Sequence, residues 1–306
     1  MDNSPRCSVV IPTYNRVELL RYTLDSLTRQ SLPTTQFEVM VVDDGSSDAT
    51  EELAESYKDR LSLRYFFQED EGWQVSRARN VGITNATSDV CVFVDSGVVL
   101  QSGCLAAHVQ SHDDSDVPLA VNGYVYGFNL NNEDAELIAK AVDLDDPDTT
   151  IETLRSTGQW TDVREFFYAK YNDEFSHLPA PWVMYWACNV SARTEQLRAV
   201  GGYDEAFRTW GGEDLDLAYR LFLDGARFVL NRAAASIHYP HHKSFADNEA
   251  QAAANYRYMA EKYPTPIIQL LPSFGEAVNP FNINEVIEER GLPRCEDYLA
   301  QQGAER

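Results

Sequence analysis

The stretch TWGGEDLDLAYRLFLDG, residues 209–225, sets two adjacent carboxylates, Glu213 and Asp214, directly behind Trp210, Gly211 and Gly212. Glycines permit a tight turn and a close backbone approach to a ligand, and a helix starting at Glu213 keeps both acids in its first turn, where the dipole favours negative charge. Leu215, Leu217, Leu221 and Phe222 can bury the rest of that helix, which leaves the acids at its open end. An ordinary helix start carries the same residue types. Trp210 tips the reading toward sugar, since an aromatic ring stacks on a sugar's C–H face while a carboxylate takes its hydroxyls.

Other polar groups collect where apolar runs stop. CVFVDSGVV, residues 91–99, delivers Asp95, Ser96 and Gly97 at the end of a strand-forming run, and VVDDGSSD delivers Asp43 and Asp44 before Gly45. The latter pair also reads as an Asx turn and helix cap. SIHYPHHKS, residues 236–244, holds three of the six histidines; His238 ends an apolar strand and is the best placed of them to meet a metal or a diphosphate, with His241 and His242 in the following loop. The histidine spacing alone is a weak metal signal.

The elements that must position these groups alternate. Residues 7–12, 37–42, 61–67 and 90–94 are β-branched or aromatic runs of strand length. Between them, Val17, Leu20, Leu24 and Leu27 fall at helical spacing, and Asp48 with Glu51 reads as a capping box for a helix through residue 59. Strand and helix in alternation predict right-handed crossovers, a parallel sheet, and ligands outside the carboxyl ends of the strands. Those ends carry Pro12, Thr13, Tyr14 and Asn15, then Asp43 and Asp44, then residues 68–73, then Asp95. Further on, residues 159–186 interleave aromatics with proline and charge and read as a partly open wall, residues 182–192 read as a strand, a strand ends at Ile237, and helices are expected over 245–262 and near 282–290. The expected organisation is one catalytic domain over 1–243, divided into a nucleotide-binding half (1–100) and an acceptor-binding, catalytic half (101–243), with a helical C-terminal extension over 244–306.

Composition narrows the partners. In 306 residues, 25 Lys and Arg stand against 48 Asp and Glu, a formal charge of -23, which repels nucleic acid and anionic membrane. The five cysteines are scattered without a CxxC pair and read as reduced packing residues. There is no basic, apolar leader at the start and no apolar run of membrane-spanning length, so a cytoplasmic protein is expected.

Taken together, VVIPTYNR, VVDDGSSD, SRARNVGI, FVDSG and GGYDEAFRTWGGEDLDLAYRL occur in an order that resembles the family 2 inverting glycosyltransferases, over about residues 7–240. The last segment resembles the WGGED segment of chondroitin-polymerase-type and β4-galactosyltransferase enzymes. The resemblance implies the GT-A fold, a Rossmann-like, mostly parallel central α/β sheet flanked by helices. It implies that Thr13, Tyr14 and Asp44 surround a nucleotide base, that Pro12, Asn15 and Ser96 also bind the nucleotide-sugar, that Arg79 lies near nucleotide and diphosphate, and that Asp95 faces ribose and metal. Asp214 matches the family's general base, Glu213 would hold the acceptor or orient that base, and Trp210, Gly212, Trp182 and Trp186 would line the acceptor site. The family usually presents Asp-x-Asp at residues 95–97; here the second position is Gly97. A divalent cation, Mn2+ or Mg2+, would then be held through diphosphate oxygens, Asp95 and His238. The expected activity is non-processive transfer of a sugar from a nucleoside-diphosphate sugar, UDP foremost, to a hydroxyl of a small polar or glycan acceptor, with an aminocyclitol or other natural product fitting the acidic surface. The alternative is a catalytically impaired, nucleotide-sugar-binding homologue with a regulatory role.

Overall fold

A computed structural model describes residues 4–128, 132–242, 245–275 and 277–304. The expected domain boundary at 243–244 lies outside the described residues. The apolar runs form β1 (Cys7–Thr13), β2 (Phe37–Asp43), β3 (Leu63–Phe67), β4 (Val90–Val94), β5 (Val98–Leu100), β6 (Leu119–Tyr126), β7 (Asn189–Arg193) and β8 (Arg227–His238). They make one sheet in the order β3-β2-β1-β4-β7-β6-β8-β5. The first four are mutually parallel, β6 and β8 are parallel to each other, and β7 and β5 run antiparallel to their neighbours. β1, β2 and β4 are buried along their whole length, which is why they read as continuous apolar runs instead of alternating ones.

The helices are α1 (Val17–Thr28), α2 (Thr50–Glu55), α3 (Val75–Asn85), α4 (Cys104–Asp113), α5 (Ala135–Ala141), α6 (Pro147–Thr157), α7 (Glu165–Lys170), α8 (Thr194–Ala199), α9 (Glu213–Leu223), α10 (Phe245–Lys262), α11 (Ile283–Glu289) and α12 (Cys295–Ala304). In α1 the predicted stripe is realised, with Leu20, Leu24 and Leu27 buried. α3 packs on β1 through Gly82, where a Cβ would lie 2.3 Å from Val10 Cγ1. That close approach sets the depth of Arg79, one helical turn earlier on the same face.

Three expectations change. α2 ends at Glu55 rather than 59, and Asp48 does not build a capping box with Glu51. Asp48 instead joins two helix starts, accepting from Thr50 N (3.2 Å) and from Val17 N (3.0 Å). Residues 182–192 are not one strand: Pro181–Met184 form a 3-10 turn and β7 begins only at Asn189. In that segment the Met184 carbonyl is held not by a ladder but by Arg164, whose buried guanidinium donates to Met184 O (3.0 Å) and Gly123 O (3.1 Å) while paired with Asp162 (2.7 Å). The aromatic stretch is core more than open wall, because Phe167, Tyr168, Phe175, Trp182 and Tyr185 are fully buried and Phe166 alone among them is well exposed, at 72%.

The C-terminal helices share the core of the preceding half: Met259, Ile268, Leu271, Ile283 and Cys295 belong to the same apolar cluster as Trp182, Leu217 and Phe228. All five cysteines are buried and unpaired. No helix among the described residues is long and apolar enough to cross a membrane.

Candidate active site

Arg79 stands at the centre of the site, with its side chain 5% exposed. Nη1 donates to Asp214 Oδ1 (3.1 Å) and Glu213 Oε1 (3.3 Å), Nη2 donates to Asp95 Oδ1 (3.2 Å), and the guanidinium lies 5.1 Å from the Tyr203 ring centre. One cation from α3 thus gathers a strand-end acid and both helix-start acids. Burial disfavours its charge, but the surrounding acidic groups, Asp214 foremost, more than offset this and hold it protonated. The resemblance placed Arg79 at the diphosphate; here it faces three carboxylates.

Asp214, 20% exposed at its side chain, also accepts from Ala187 N (3.0 Å) through Oδ2. Desolvation dominates its titration: with Arg79 pulling down and Glu213 pushing up, the carboxyl is raised to about 7. Glu213 is buried, and its Oε2 has no hydrogen-bond partner among the described residues. The break before β7 has its use here, since a residue paired in a ladder could not turn its N–H to Asp214. Nothing in the sequence around Ala187 signals that role, because the donor is backbone.

The residues expected to bind the nucleotide converge at the ends of β1, β2 and β3. Asp44 N donates to Thr13 O (2.9 Å) and Gln68 N to Asp43 O (2.9 Å), which continues the parallel register past the strand ends. Asp44 is buried, with one oxygen accepting from Gln68 Nε2 (2.5 Å) and the other from Gln74 N (2.9 Å), and burial raises its pKa. Thr13 Oγ1 and Gln68 Oε1 beside it are buried without a partner. Asn15, at φ 48°, donates its N–H to Ser46 Oγ (2.7 Å) and accepts from Ser47 N (2.8 Å), stitching the two loops together. Tyr14 is 44% exposed, its hydroxyl donating to Asp70 (2.9 Å), whereas Pro12 is fixed in the β1–β2 ladder opposite Val42. Gln68 lies in the strand-end stretch 68–73 without having been assigned a role, whereas Gln74 and Arg208, which donates to Gln74 Oε1 (3.2 Å), were absent from the predicted set; their isolated polar character gives no pattern to read.

The four predicted acceptor residues divide. Trp210 and Gly212 lie in the turn entering α9, and Trp210 is half-buried. Trp186 is half-buried, with Arg164 5.5 Å from its ring centre. Trp182 is 0% exposed and packs edge-on against Tyr219 (5.3 Å between centroids), so it has no open face for the stacking expected of it.

For the cation, Asp95 and His238 lie on one edge of the sheet, since His238 pairs with Val98 and Tyr239 N donates to Gly97 O (2.9 Å). Ser96 is buried in the turn between them. Among the described residues no three His, Cys, Asp or Glu side chains converge to hold a metal. Asp95 already faces Arg79, and Gly97 has φ 99°, a conformation that L side chains rarely adopt. Among the described residues, the protein's own side chains do not by themselves complete a cage for a divalent ion. Gly97→Asp is expected to strain this turn and lower stability by roughly 1–3 kcal/mol, read as a fall in Tm. An unchanged Tm would show that the turn relaxes to accept the side chain.

A mixed, mostly parallel sheet flanked by helices, with acids gathered at its strand and helix ends, is the architecture of a GT-A glycosyltransferase, and the comparisons agree. Residues 8–170 match the Glycosyl transferase family 2 profile and residues 171–243 match the profile described as N-terminal domain of galactosyltransferase. The chain belongs to glycosyl transferase family 2 and is an inverting glycosyltransferase that uses a nucleotide-sugar donor. It is 34% identical over 297 residues to the validoxylamine A glucosyltransferase of Streptomyces hygroscopicus subsp. jinggangensis (strain 5008), covering 97% of this chain and 69% of that protein. With the protein of the same name from Streptomyces hygroscopicus subsp. limoneus the identity is again 34%, over 64% of its length. Chondroitin synthase of Pasteurella multocida (strain Pm70) is 30% identical across 87% of this chain, which spans 28% of that enzyme. In fold, the chain resembles the mannosyltransferase PcManGT from Pyrobaculum calidifontis in complex with GDP-Man and Mn2+ (TM-score 0.60, 19% identity, 98% of this chain and 80% of that one). It also resembles S. aureus TarS 1-349 in complex with UDP-GlcNAc (TM-score 0.59, 18% identity, 93% and 71%).

Proposed function

We propose that this protein transfers a hexose from a UDP-sugar to one hydroxyl of a small polar acceptor of the aminocyclitol class, with Asp214 as general base. The observation that carries this reading is the Asp214 carboxylate, fixed by Ala187 N (3.0 Å) and Arg79 (3.1 Å), with a pKa pushed up to about 7. A base that holds its proton near neutrality takes one from a hydroxyl far better than an ordinary aspartate. As the acceptor O–H loses its proton to Asp214, its oxygen bonds to the anomeric carbon and the bond to the diphosphate breaks on the opposite face. Configuration inverts, and the electron pair leaves with the nucleoside diphosphate.

The acceptor class follows from the relatives named for validoxylamine A and from a site where Asp95, Glu213 and Asp214 outnumber Arg79. Glu213 Oε2, buried and unpartnered, suits a hydroxyl or ammonium donor on that acceptor. The WGGED kinship with chondroitin-polymerase-type enzymes belongs to the same reading, as do Trp210 and Trp186 at the acceptor side. Any divalent ion would rely on donor diphosphate oxygens beside Asp95 and His238. We read residues 1–243 as the transferase domain, 244–306 as its helical extension, and the five unpaired cysteines as fitting the reducing cytoplasm.

Calorimetric titration with UDP, GDP and dTDP, each with Mn2+, Mg2+ or EDTA, followed by turnover of UDP-hexoses with an aminocyclitol, tests the reading. Donor binding without transfer or hydrolysis would favour the alternative of a regulatory, catalytically impaired homologue, which the short metal-ligand set motivates. Asp44→Ala is expected to weaken nucleotide affinity about tenfold or more, because Gln68 and Gln74 lose the carboxylate that orients them. Unaltered affinity would remove Asp44 from the base pocket.

A further inference from the structure

The turn that aims Glu213 and Asp214 is held from outside both family-matched segments. Residues 209–212 enter α9 with Gly211 at φ 87° and Gly212 at φ 95°. This geometry turns three successive carbonyls toward α10, where Asn255 Nδ2 donates to Gly211 O (2.6 Å), Thr209 O (3.2 Å) and Trp210 O (3.3 Å). Asn255 Oδ1 lies 3.3 Å from Thr209 Oγ1, and Gln251 Oε1 accepts from Trp210 N (2.9 Å). The packing is equally close: a Cβ on Gly211 would lie 3.1 Å from Ala252 Cβ, and one on Gly212 would lie 3.1 Å from Asn255 Cβ. The far end of α10 grips α9 as well, since Lys262 Nζ donates to Asp216 Oδ1 (2.7 Å), two residues beyond Asp214.

We infer that Asn255, seconded by Gln251, is a positioning residue for transfer: it locks the Thr209–Gly212 turn so that the first turn of α9 presents its carboxylates to Arg79 and the acceptor. Asn255 is buried and touches the turn's backbone, not the reacting carboxylates. Among the described residues, its amide is the one side-chain group that meets three consecutive carbonyls of this turn. A misplacement of the base by a fraction of an ångström lowers the rate of the chemical step without altering the nucleotide pocket at β1 and β2.

The inference rests on the proposed function, so two readouts are needed. Asn255→Ala and the near-isosteric Asn255→Asp, which keeps the packing on Gly212 but removes the N–H donors, are compared with Gln251→Ala and the wild type. Expected are a kcat lowered ~10- to 100-fold for both Asn255 variants, a smaller fall for Gln251→Ala, nucleotide Kd unchanged within about twofold, and a displaced pH midpoint of kcat. Faster amide hydrogen exchange over 210–216 is expected in the same variants, and this readout needs no substrate. Wild-type exchange over 210–216 in all three variants would overturn the inference whatever the activity. So would losses of kcat that merely track the folded fraction, with the pH midpoint in place. A wild-type protein that transfers no sugar would instead overturn the proposed function, leaving the exchange result to judge the turn.

Discussion

Asp214→Asn is expected to lower sugar transfer by ~100-fold or more while leaving donor affinity nearly unchanged, since the amide keeps an acceptor for Ala187 N but cannot take the hydroxyl proton. In the wild type, kcat should rise with pH through about 7, because only the deprotonated carboxylate is a base. The sign of the stability effect is opposite. A carboxyl whose folded pKa exceeds its unfolded value binds more protons when folded, so its ionisation destabilises the fold as pH rises from about 4 to about 7. Asp214→Asn should accordingly raise Tm at pH 8, with the gain vanishing near pH 4. A variant with wild-type transfer would exclude Asp214 as the base, and a Tm lowered at pH 8 would mean that the lost pairing with Arg79 outweighs the relieved burial.

Arg79→Met has the second large effect. It removes the one cation that Asp95, Glu213 and Asp214 share and leaves the buried Glu213 with its other oxygen already unpartnered. Breaking a buried pair from one side costs roughly 3–5 kcal/mol, so a large fall in the urea midpoint is expected at neutral pH. The penalty should shrink under mildly acid conditions, where Asp214 is protonated. Because Arg79 is what lowers the Asp214 pKa, any residual activity should show a midpoint displaced above 7. Denaturation curves at two pH values with a pH-rate profile test both claims; a variant as stable as the wild type at neutral pH would mean that solvent, not Arg79, neutralises the acids.

The sheet was legible because its parallel strands are buried on both faces and so carry uninterrupted apolar runs; β1, β2 and β4 lie within a residue of where composition places them. The carboxylates at strand and helix ends were legible for the complementary reason, that charge beside such runs is costly unless it has a ligand or partner. What the chain hides is pairing over distance. Arg79 is 134 residues from Glu213, and only the docking of α3 through Gly82 onto Val10 brings them together. Aromatic composition likewise fails to tell a stacking platform from core: Trp182 and Trp186 are four residues apart, one sealed against Tyr219 and the other half-open. In the segment before Asn189, Met184 O is held by Arg164, a contact across 20 residues that no local propensity reports.

The placement of β7 between β4 and β6 carries one more consequence, for the time course of folding. β4 pairs with a strand about a hundred residues downstream, Val90 opposite Arg193, and the turn that leads into Glu213 and Asp214 is clasped later still, from α10. Such long-range pairing pays its loop-closure entropy before contacts reward it, which makes it slow compared with the local β1–α1–β2 unit. The ends of β1 and β2 therefore take shape well before the turn entering α9 is clasped, so Glu213 and Asp214 reach their final places only when the last third of the chain has docked.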